Sequence, residues 1–509
     1  MGLVGKVGRK RPRARLAMAG LYLVLALGAV TTVYPFLLMV ATGLKGATDQ
    51  NDNKLVPVYW RDRQELESKY LDDKYGGDKS AVAATRLGSG ASAEQVAAYE
   101  AFLMGLPPDQ WSAAFRMPAT GVTSRLTERY RSWLRSRFAT VDELNRAYLE
   151  ENVAFQTVVP PNELFERAAW NPTPGRKWED WLEFKQTLPA EFRNPIRRQR
   201  LWQQFLASKF QNQIGEVPPE VAKGAKSFET IPLGTGPLRD EFEAAKVPAR
   251  YRNGFADDRW AERFADPMPI AAFEARHLEA HAGEIRREFA GRNYRYVVDY
   301  MALNGRALSN TAIFCFLAIL TQLIVNPLAA YALSRFPVRA SGKILLFLLA
   351  TMAFPAEVAM IPSFLLLKDL GLLNTFAALV LPTAASGYMI FLLKGFFDSL
   401  PQELYESGQM DGARETTMLW KIALPLSKPV LGYLALLAFM GAYGAFMYAF
   451  LVAQDQRMWT LMVWIYQLQM IAPKSVTMAA LTMAALPTLL VFLFAQRVIM
   501  RGIVLPGER

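Results

Sequence analysis

From Leu16 to Leu44 the chain carries no charged residue, and that single run rules out a purely water-soluble fold. A signal peptide has an apolar core of about 7–15 residues, and this run is far longer. It also exceeds the about 20 residues that a helix needs to cross hydrocarbon at about 1.5 Å per residue. A retained membrane helix over 16–44 is therefore expected. Apolar runs return late in the chain, near 308–333, 344–367, 372–393, 430–453 and 476–496, each bounded by charge or turn residues. The expected fold class is an all-α polytopic membrane protein with six transmembrane helices. A large insertion, residues 45–305, separates helix one from helix two.

Charge gives the orientation. Residues 45–305 hold 37 basic and 37 acidic side chains and the remainder holds 20 and 9, so the net charge of +11 lies outside the insertion. Basic excess confined to short segments beside apolar runs points to membrane topology and away from nucleic acid. Lys6, Arg9, Lys10, Arg11, Arg13 and Arg15 precede the first run, so residues 1–15 are expected in the cytoplasm. Six crossings then place Arg335, Arg339 and Lys343 inside, with Lys394 to Lys428, Arg497, Arg501 and the tail 503–509. The turns at 368–371 and 454–475, and the whole of 45–305, fall outside.

The insertion contains eight of the eleven tryptophans and no cysteine; the single Cys315 lies in an apolar run, so this domain must fold without disulfides. Apolar and aromatic residues recur at helical spacing from Tyr130 to Phe138 and again from Trp202 to Phe210. The two stretches align as a degenerate repeat, and Thr140 with Glu143 has the spacing of a capping box. A mostly helical folded domain is expected. His277 and His281 share a helical face without a third ligand candidate nearby, so they read as an ordinary solvated face and no metal is assigned. Carboxylates are numerous, but nothing in the sequence places two of them at catalytic separation.

The loop between the fourth and fifth spans, 399–429, is the most informative segment. Ser399 and Gln402 have capping-box spacing, Pro401 suits a first turn, and Gly412 can take the left-handed conformation that ends a helix. A second helical stretch, about Ala413 to Ile422, is expected to stop at Pro425. Such a helix, with small residues Ser407 and Gly408, suits either a partner's groove or simple rest on the lipid surface.

The pattern Glu406-Ser407-Gly408-x-x-Asp411-Gly412-Ala413, followed by Ile422-x-Leu424-Pro425, resembles the coupling signature of bacterial ABC-importer permeases. Flanking stretches resemble the carbohydrate branch, the maltose-type second permease subunit: Asn310-Thr311, Ala329 to Phe336, Ile361-Pro362 and Gly371 to Thr375. The likeness covers Arg306 to about Gly502 and the first helix. It implies a five-helix permease core over 306–502 in a bacterial inner membrane. Glu403, Glu406, Ser407, Gly408, Asp411, Gly412, Ala413, Leu424 and Pro425 would then form the surface gripped by a separate ATPase. The implied partners are a second homologous permease, two ATPase copies holding ATP and magnesium, an extracytoplasmic solute-binding protein, and lipid. Where the family has Glu-Ala-Ala, this chain has Glu406-Ser407-Gly408; the tail from Val504 also departs.

The chain itself offers no phosphate-cradling loop: its nearest string, Gly224-Ala225-Lys226-Ser227, lacks the adjacent Gly-Lys. No cofactor and no catalytic residue are therefore assigned to this chain, which reads as a transport subunit and not an enzyme. Ionisable and polar residues inside spans are candidates for the translocation route. They are Glu357, between Pro355 and Pro362, together with Gln322, Asn326, Tyr388, Tyr443 and Tyr448. Aromatic and amide side chains suit sugars, although core packing explains the tyrosines equally well. The competing readings are a permease for a polyol or glycerol phosphate, and a membrane-anchored extracytoplasmic protein that binds or processes carbohydrate.

Overall fold

A computed structural model describes residues 12–502, apart from Ala47, 86–89, 118–120, Ala168, Asn253, 304–305, 337–338 and Phe354. The basic residues before Pro12 and the tail from 503 lie outside the described residues. Contacts divide the chain into two units: residues up to Tyr296 with Ile471–Ala479, and Val297–Met470 with the residues from Ala480. The protein is mostly helical, and the one sheet among the described residues is a short antiparallel pair, Trp111–Ala113 with Arg193–Pro195.

The first unit opens with the helix Pro12–Gly43, whose apolar side chains are exposed from Leu21 to Leu37 and become buried by Ala41. Its end is anchored by polar contacts. Asn293 Nδ2 donates to Gly43 O (3.0 Å) and Lys45 O (2.6 Å), Tyr294 Oη to Val40 O (2.9 Å), and Tyr59 Oη to Leu44 O (2.7 Å). The last carbonyls of a helix have no partner within it, so these side chains replace the water that would otherwise bind there.

Beyond Lys45 this unit folds as the helical body expected of residues 45–305. One aromatic core gathers Trp111, Tyr130, Leu134, Trp181 and Phe192; a second gathers Trp202, Leu206, Phe242 and Tyr251. The two stretches that align as a repeat supply a helix to each core, Arg125–Arg137 to the first and Arg198–Lys209 to the second. Thr140 does cap Val141–Tyr148 by accepting from Glu143 N (3.2 Å). The reciprocal half of the box is shifted by one residue, because Glu143 accepts from Ala139 N (3.1 Å) and not from Thr140.

At the centre of the first core, Lys185 and Glu163 are both fully buried and 2.6 Å apart. Lys185 also donates to Pro108 O (2.6 Å) and Trp111 O (2.9 Å), while Glu163 accepts from Ala113 N (2.8 Å) and Trp181 Nε1 (2.9 Å). Burial lowers the Lys185 pKa, and Glu163 opposes that shift. The solvated-face reading of the histidines needs correction. His277 is partly buried, pairs with Glu191, and stacks on His281 at 4.4 Å between ring centroids. Burial alone would raise the Glu191 carboxyl; His277 and Arg125 instead hold it down at about 2.

In the second unit, the long helix Ala307–Arg335 packs on Gly387–Asp398 and Lys428–Tyr443. Three of the expected runs are interrupted. The 344–367 run is two helices, Ser341–Met352 and Ala356–Asp369, because Pro355 cannot continue the first. The 372–393 run bends by 50° between Phe376–Thr383 and Gly387–Asp398. The 430–453 run breaks at Gly444 and resumes as Met447–Val452. The turn expected at 454–475 contains a helix, Leu461–Ile471, too short to be read as a span. Its entry is held by Asn310 Nδ2, which donates to Arg457 O (2.9 Å) and Trp459 O (3.1 Å), and by Thr311 Oγ1, which accepts from Leu461 N (2.7 Å). Asn374, in the left-handed region at φ 59°, accepts from Asp455 N (2.8 Å).

By length and composition, three described helices are long and apolar enough to cross a membrane, or up to five if each bent pair counts as one span. Gly387 marks a close helix contact: a side chain there would collide with the Leu348 carbonyl. Gly387→Ala is expected to destabilise the protein by about 1–3 kcal/mol through overpacking. A lowered thermal unfolding midpoint in detergent would register it.

Candidate functional site

The loop 399–429 is built on a buried base. Tyr405, Met418, Leu419 and Ala423 join Tyr331, Leu393 and Phe397 in one apolar cluster. Polar contacts fix the same base from Ala307–Arg335. Arg335 lies over the Tyr405 ring, 3.2 Å from its centroid, and Tyr331 Oη donates to Glu415 Oε2 (2.9 Å). Burial raises the Tyr405 pKa while Arg335 opposes it, so the ring stays a neutral phenol beneath a guanidinium.

On this base sits the helix Gln402–Met410. Ser399 does not start it, since the Ser399 hydroxyl donates back to Phe396 O (2.7 Å) and the residue closes Gly387–Asp398. Pro401 is the flanking residue, and its missing N–H spares the helix one unsatisfied donor. The other end follows the expectation for Gly412, whose φ is +76°. Ala413 N donates to Gly408 O (2.9 Å) and Gly412 N to Gln409 O (3.0 Å), the paired bonds of a Schellman turn. The chain then reverses into Glu415–Met418, a wider turn over Leu419–Ala423, and Leu424–Leu426. Pro425 does not stop this stretch, because proline is tolerated in the first turn of Leu424–Leu426. The 81° bend comes at Ser427, whose hydroxyl donates to Ala423 O (2.6 Å), before Lys428–Tyr443.

The two short helical stretches pack at Gly408, where an added methyl would stand 3.3 Å from Ile422 Cδ1 and 3.6 Å from Met418. Those neighbours are flexible side-chain ends, and alanine is the better helix former by about 1 kcal/mol. Gly408→Ala is thus expected to be neutral or mildly stabilising, whereas Gly408→Trp must part the two stretches. Transport assayed in vesicles would show near-normal flux for the first and a severe loss for the second.

Of the sequence-derived loop residues, Glu403, Glu406, Ser407, Asp411, Gly412 and Pro425 are exposed together, while Gly408, Ala413 and Leu424 are partly buried. Sequence reasoning missed Met410 and Trp420, which are 88% and 65% exposed. Large apolar side chains this bare on an ordered loop mark an interaction surface. Their signal was available as apolar residues interrupting a polar helix face.

Of the residues considered for a translocation route, Gln322 and Asn326 stand one turn apart on Ala307–Arg335, and Asn326 meets the segment that leads into Tyr388. Glu357 is exposed in the first turn of Ala356–Asp369. Asn326 is fully buried, donating to Gln322 O (2.8 Å) and accepting from Ser386 N (2.8 Å), so it ties two helices together. The hydroxyls of Tyr443 and Tyr448 donate to Ala484 O (2.6 Å) and Ala378 O (3.0 Å). Tyr388 is partly exposed, and Gln322 keeps a buried carbonyl oxygen with no partner among the described residues.

Residues 326–504 match the model of the family described as binding-protein-dependent transport system inner membrane component. LplC of Bacillus subtilis is 33% identical over 36% of this chain and 67% of its own length. The polygalacturonan/rhamnogalacturonan transport permease YtcP of the same organism is 30% identical, over 36% of this chain and 70% of that protein. UgpE of Yersinia enterocolitica, an sn-glycerol-3-phosphate transport permease, is 31% identical over 47% and 83%. A solved bacterial ABC transporter that imports alginate is 26% identical over 40% of this chain and 78% of its own, with a TM-score of 0.37. With three relatives at 30% identity or more, each matched over two thirds or more of its own length, this chain belongs to the binding-protein-dependent transport inner-membrane component family, as a permease of an ABC importer.

Proposed function

We propose that this chain is one transmembrane half of an importer for a sugar or oligosaccharide. It crosses the membrane six times, with both ends in the cytoplasm. The spans are Pro12–Gly43, Ala307–Arg335, the pair Ser341–Met352 with Ala356–Asp369, the bent pair reaching Asp398, the pair Lys428–Tyr443 with Met447–Val452, and Lys474–Gly502. The loop 399–429 lies across the cytoplasmic face and sits in the cleft of a separate ATPase, which holds the ATP and magnesium. The complex contains a second, homologous permease, two ATPase copies and an extracytoplasmic binding protein. Residues 45–305 stand outside and either receive that binding protein or shape the outer mouth.

The observation that carries this reading is the exposed turn from Glu403 to Gly412, which is rigidly backed by Arg335, Tyr331 and Tyr405. A helix pinned from below and bare above transmits a push to the spans. A loop resting on lipid needs no such base. The sugar class rests on YtcP and on the resemblance of the flanking stretches, and the glycerol-phosphate permease UgpE marks the competing substrate class.

Topology is testable by cysteine labelling in a Cys315→Ala background, since Cys315 is the chain's single cysteine. A membrane-impermeant maleimide should label Lys209→Cys in intact cells and Ser407→Cys only after the membrane is opened. Labelling of Ser407→Cys from outside would overturn the orientation.

A further inference from the structure

Among the described residues, a cavity of about 720 Å³ opens on the first unit beside the irregular segment from Leu149 to Trp178. That volume is within the range of small-molecule sites. Its floor is aromatic: Trp170 and Trp178 meet at 5.8 Å and 70°, each packed edge-on against Phe165. Arg250 fixes Trp170 from behind by donating to its carbonyl. The wall is formed by Pro160 and Pro161, whose fixed φ angles stiffen an extended segment.

Three features distinguish this groove from a casual surface hollow. The first is its electrostatics, because its charged residues already have partners. Lys177 pairs with Glu150 (2.6 Å) and Arg176 with Asp180 (2.9 Å). Charges already paired offer an ionic ligand less than free ones would, and an uncharged ligand needs neither. The second is its unused hydrogen-bonding capacity. The indole N–H groups of Trp170 and Trp178 and the side chains of Asn162 and Thr173 have no hydrogen-bond partner among the described residues. The third is strain. Leu149 closes Val141–Tyr148 in the left-handed region at φ 57°, a place suited to glycine, and presents an apolar side chain that is 92% exposed. A bulky residue held there costs roughly 1 kcal/mol or more, and it lines the groove.

We propose that this groove binds an uncharged oligosaccharide. Pyranose rings present flat apolar faces to indole rings and hydroxyls to the groups around them, and closed ion pairs at the rim select against acidic chains. The site would hold substrate on the insertion itself, apart from the transmembrane route. The inference rests on the outward placement of residues 45–305 proposed above.

The test is titration of the purified full-length chain with maltotetraose, cellotetraose, xylotetraose and trigalacturonate, followed by tryptophan fluorescence and calorimetry. At least one neutral tetrasaccharide should bind, and trigalacturonate should bind more weakly. Trp170→Ala should weaken binding by about tenfold or more. Because Trp170 also packs on the second core, the exposed pair Asn162→Ala/Thr173→Ala serves as the second variant. It should weaken binding severalfold with an unchanged unfolding midpoint. Capture of the cognate ATPase, measured in parallel, should be normal in every variant. Absence of neutral-sugar binding with ATPase capture intact would overturn the groove and leave the permease reading standing. Preferential trigalacturonate binding, or binding indifferent to both variants, would overturn it equally. Loss of ATPase capture by the unaltered chain would instead strike the permease reading.

Discussion

Gly412→Pro is expected to abolish coupled transport while leaving the chain in the membrane. At φ +76° the residue occupies a region closed to proline, whose ring holds φ near about −65°. Proline also removes the N–H that donates to Gln409 O (3.0 Å), one of the two bonds closing the turn. The end of Gln402–Met410 must then unwind, and Met410 loses its fixed position. Substrate uptake and capture of the ATPase should each fall by more than about tenfold, the consequence of losing at least about 1.4 kcal/mol at the contact. Gly412→Asn should keep much of the activity, because asparagine tolerates the left-handed region. Uptake by reconstituted vesicles, beside co-purification of the ATPase, separates the two variants.

Lys185→Met should produce the largest loss of stability in the first unit, about 3–5 kcal/mol, because it strands the fully buried Glu163 carboxylate. The double variant Lys185→Met/Glu163→Gln should be more stable than Lys185→Met alone. The neutral amide can accept from only one of Ala113 N and Trp181 Nε1, which bond different oxygens of the carboxylate, but it has no charge left to compensate. Eight of the eleven tryptophans lie between residues 45 and 305, so fluorescence-detected urea unfolding reports mainly on this domain. Equal midpoints for single and double variants would show that the pair contributes nothing as a pair.

What was legible in the sequence was whatever local chemistry decides. Gly412 needs a left-handed turn and takes one, and the uncharged run after Arg15 becomes one unbroken helix. Helical spacing around Trp133 and Phe205 marked two real helices, although it could not say that each belongs to its own core. The failures have two causes: where a neighbouring helical stretch begins or ends, and contacts distant in sequence. Ser399 had the spacing of a cap, but the preceding helix runs through Asp398 and takes the serine as its own end. Pro425 resembled a stop, yet it fell in a first turn, where its missing N–H costs little. Leu461–Ile471, nine apolar residues and two glutamines, lies in what reads as an outside turn; Asn310 and Thr311 hold its entry from about 150 residues away in sequence. In the candidate loop, the exposed polar residues were readable as a pattern. Met410 and Trp420 interrupt that polar pattern, but their exposure is a property of the fold.

In the importer proposed above, the exposed tip of Gln402–Met410 is seated in another polypeptide that hydrolyses ATP. A photo-reactive phenylalanine analogue placed at Met410, the most exposed apolar residue of that turn, tests it directly in membranes containing the assembled importer. One dominant adduct is expected, at the mass of this chain plus the ATPase, lost when Gly412→Pro is combined with it. Adducts to lipid alone, or to a protein on the outer face, would contradict it.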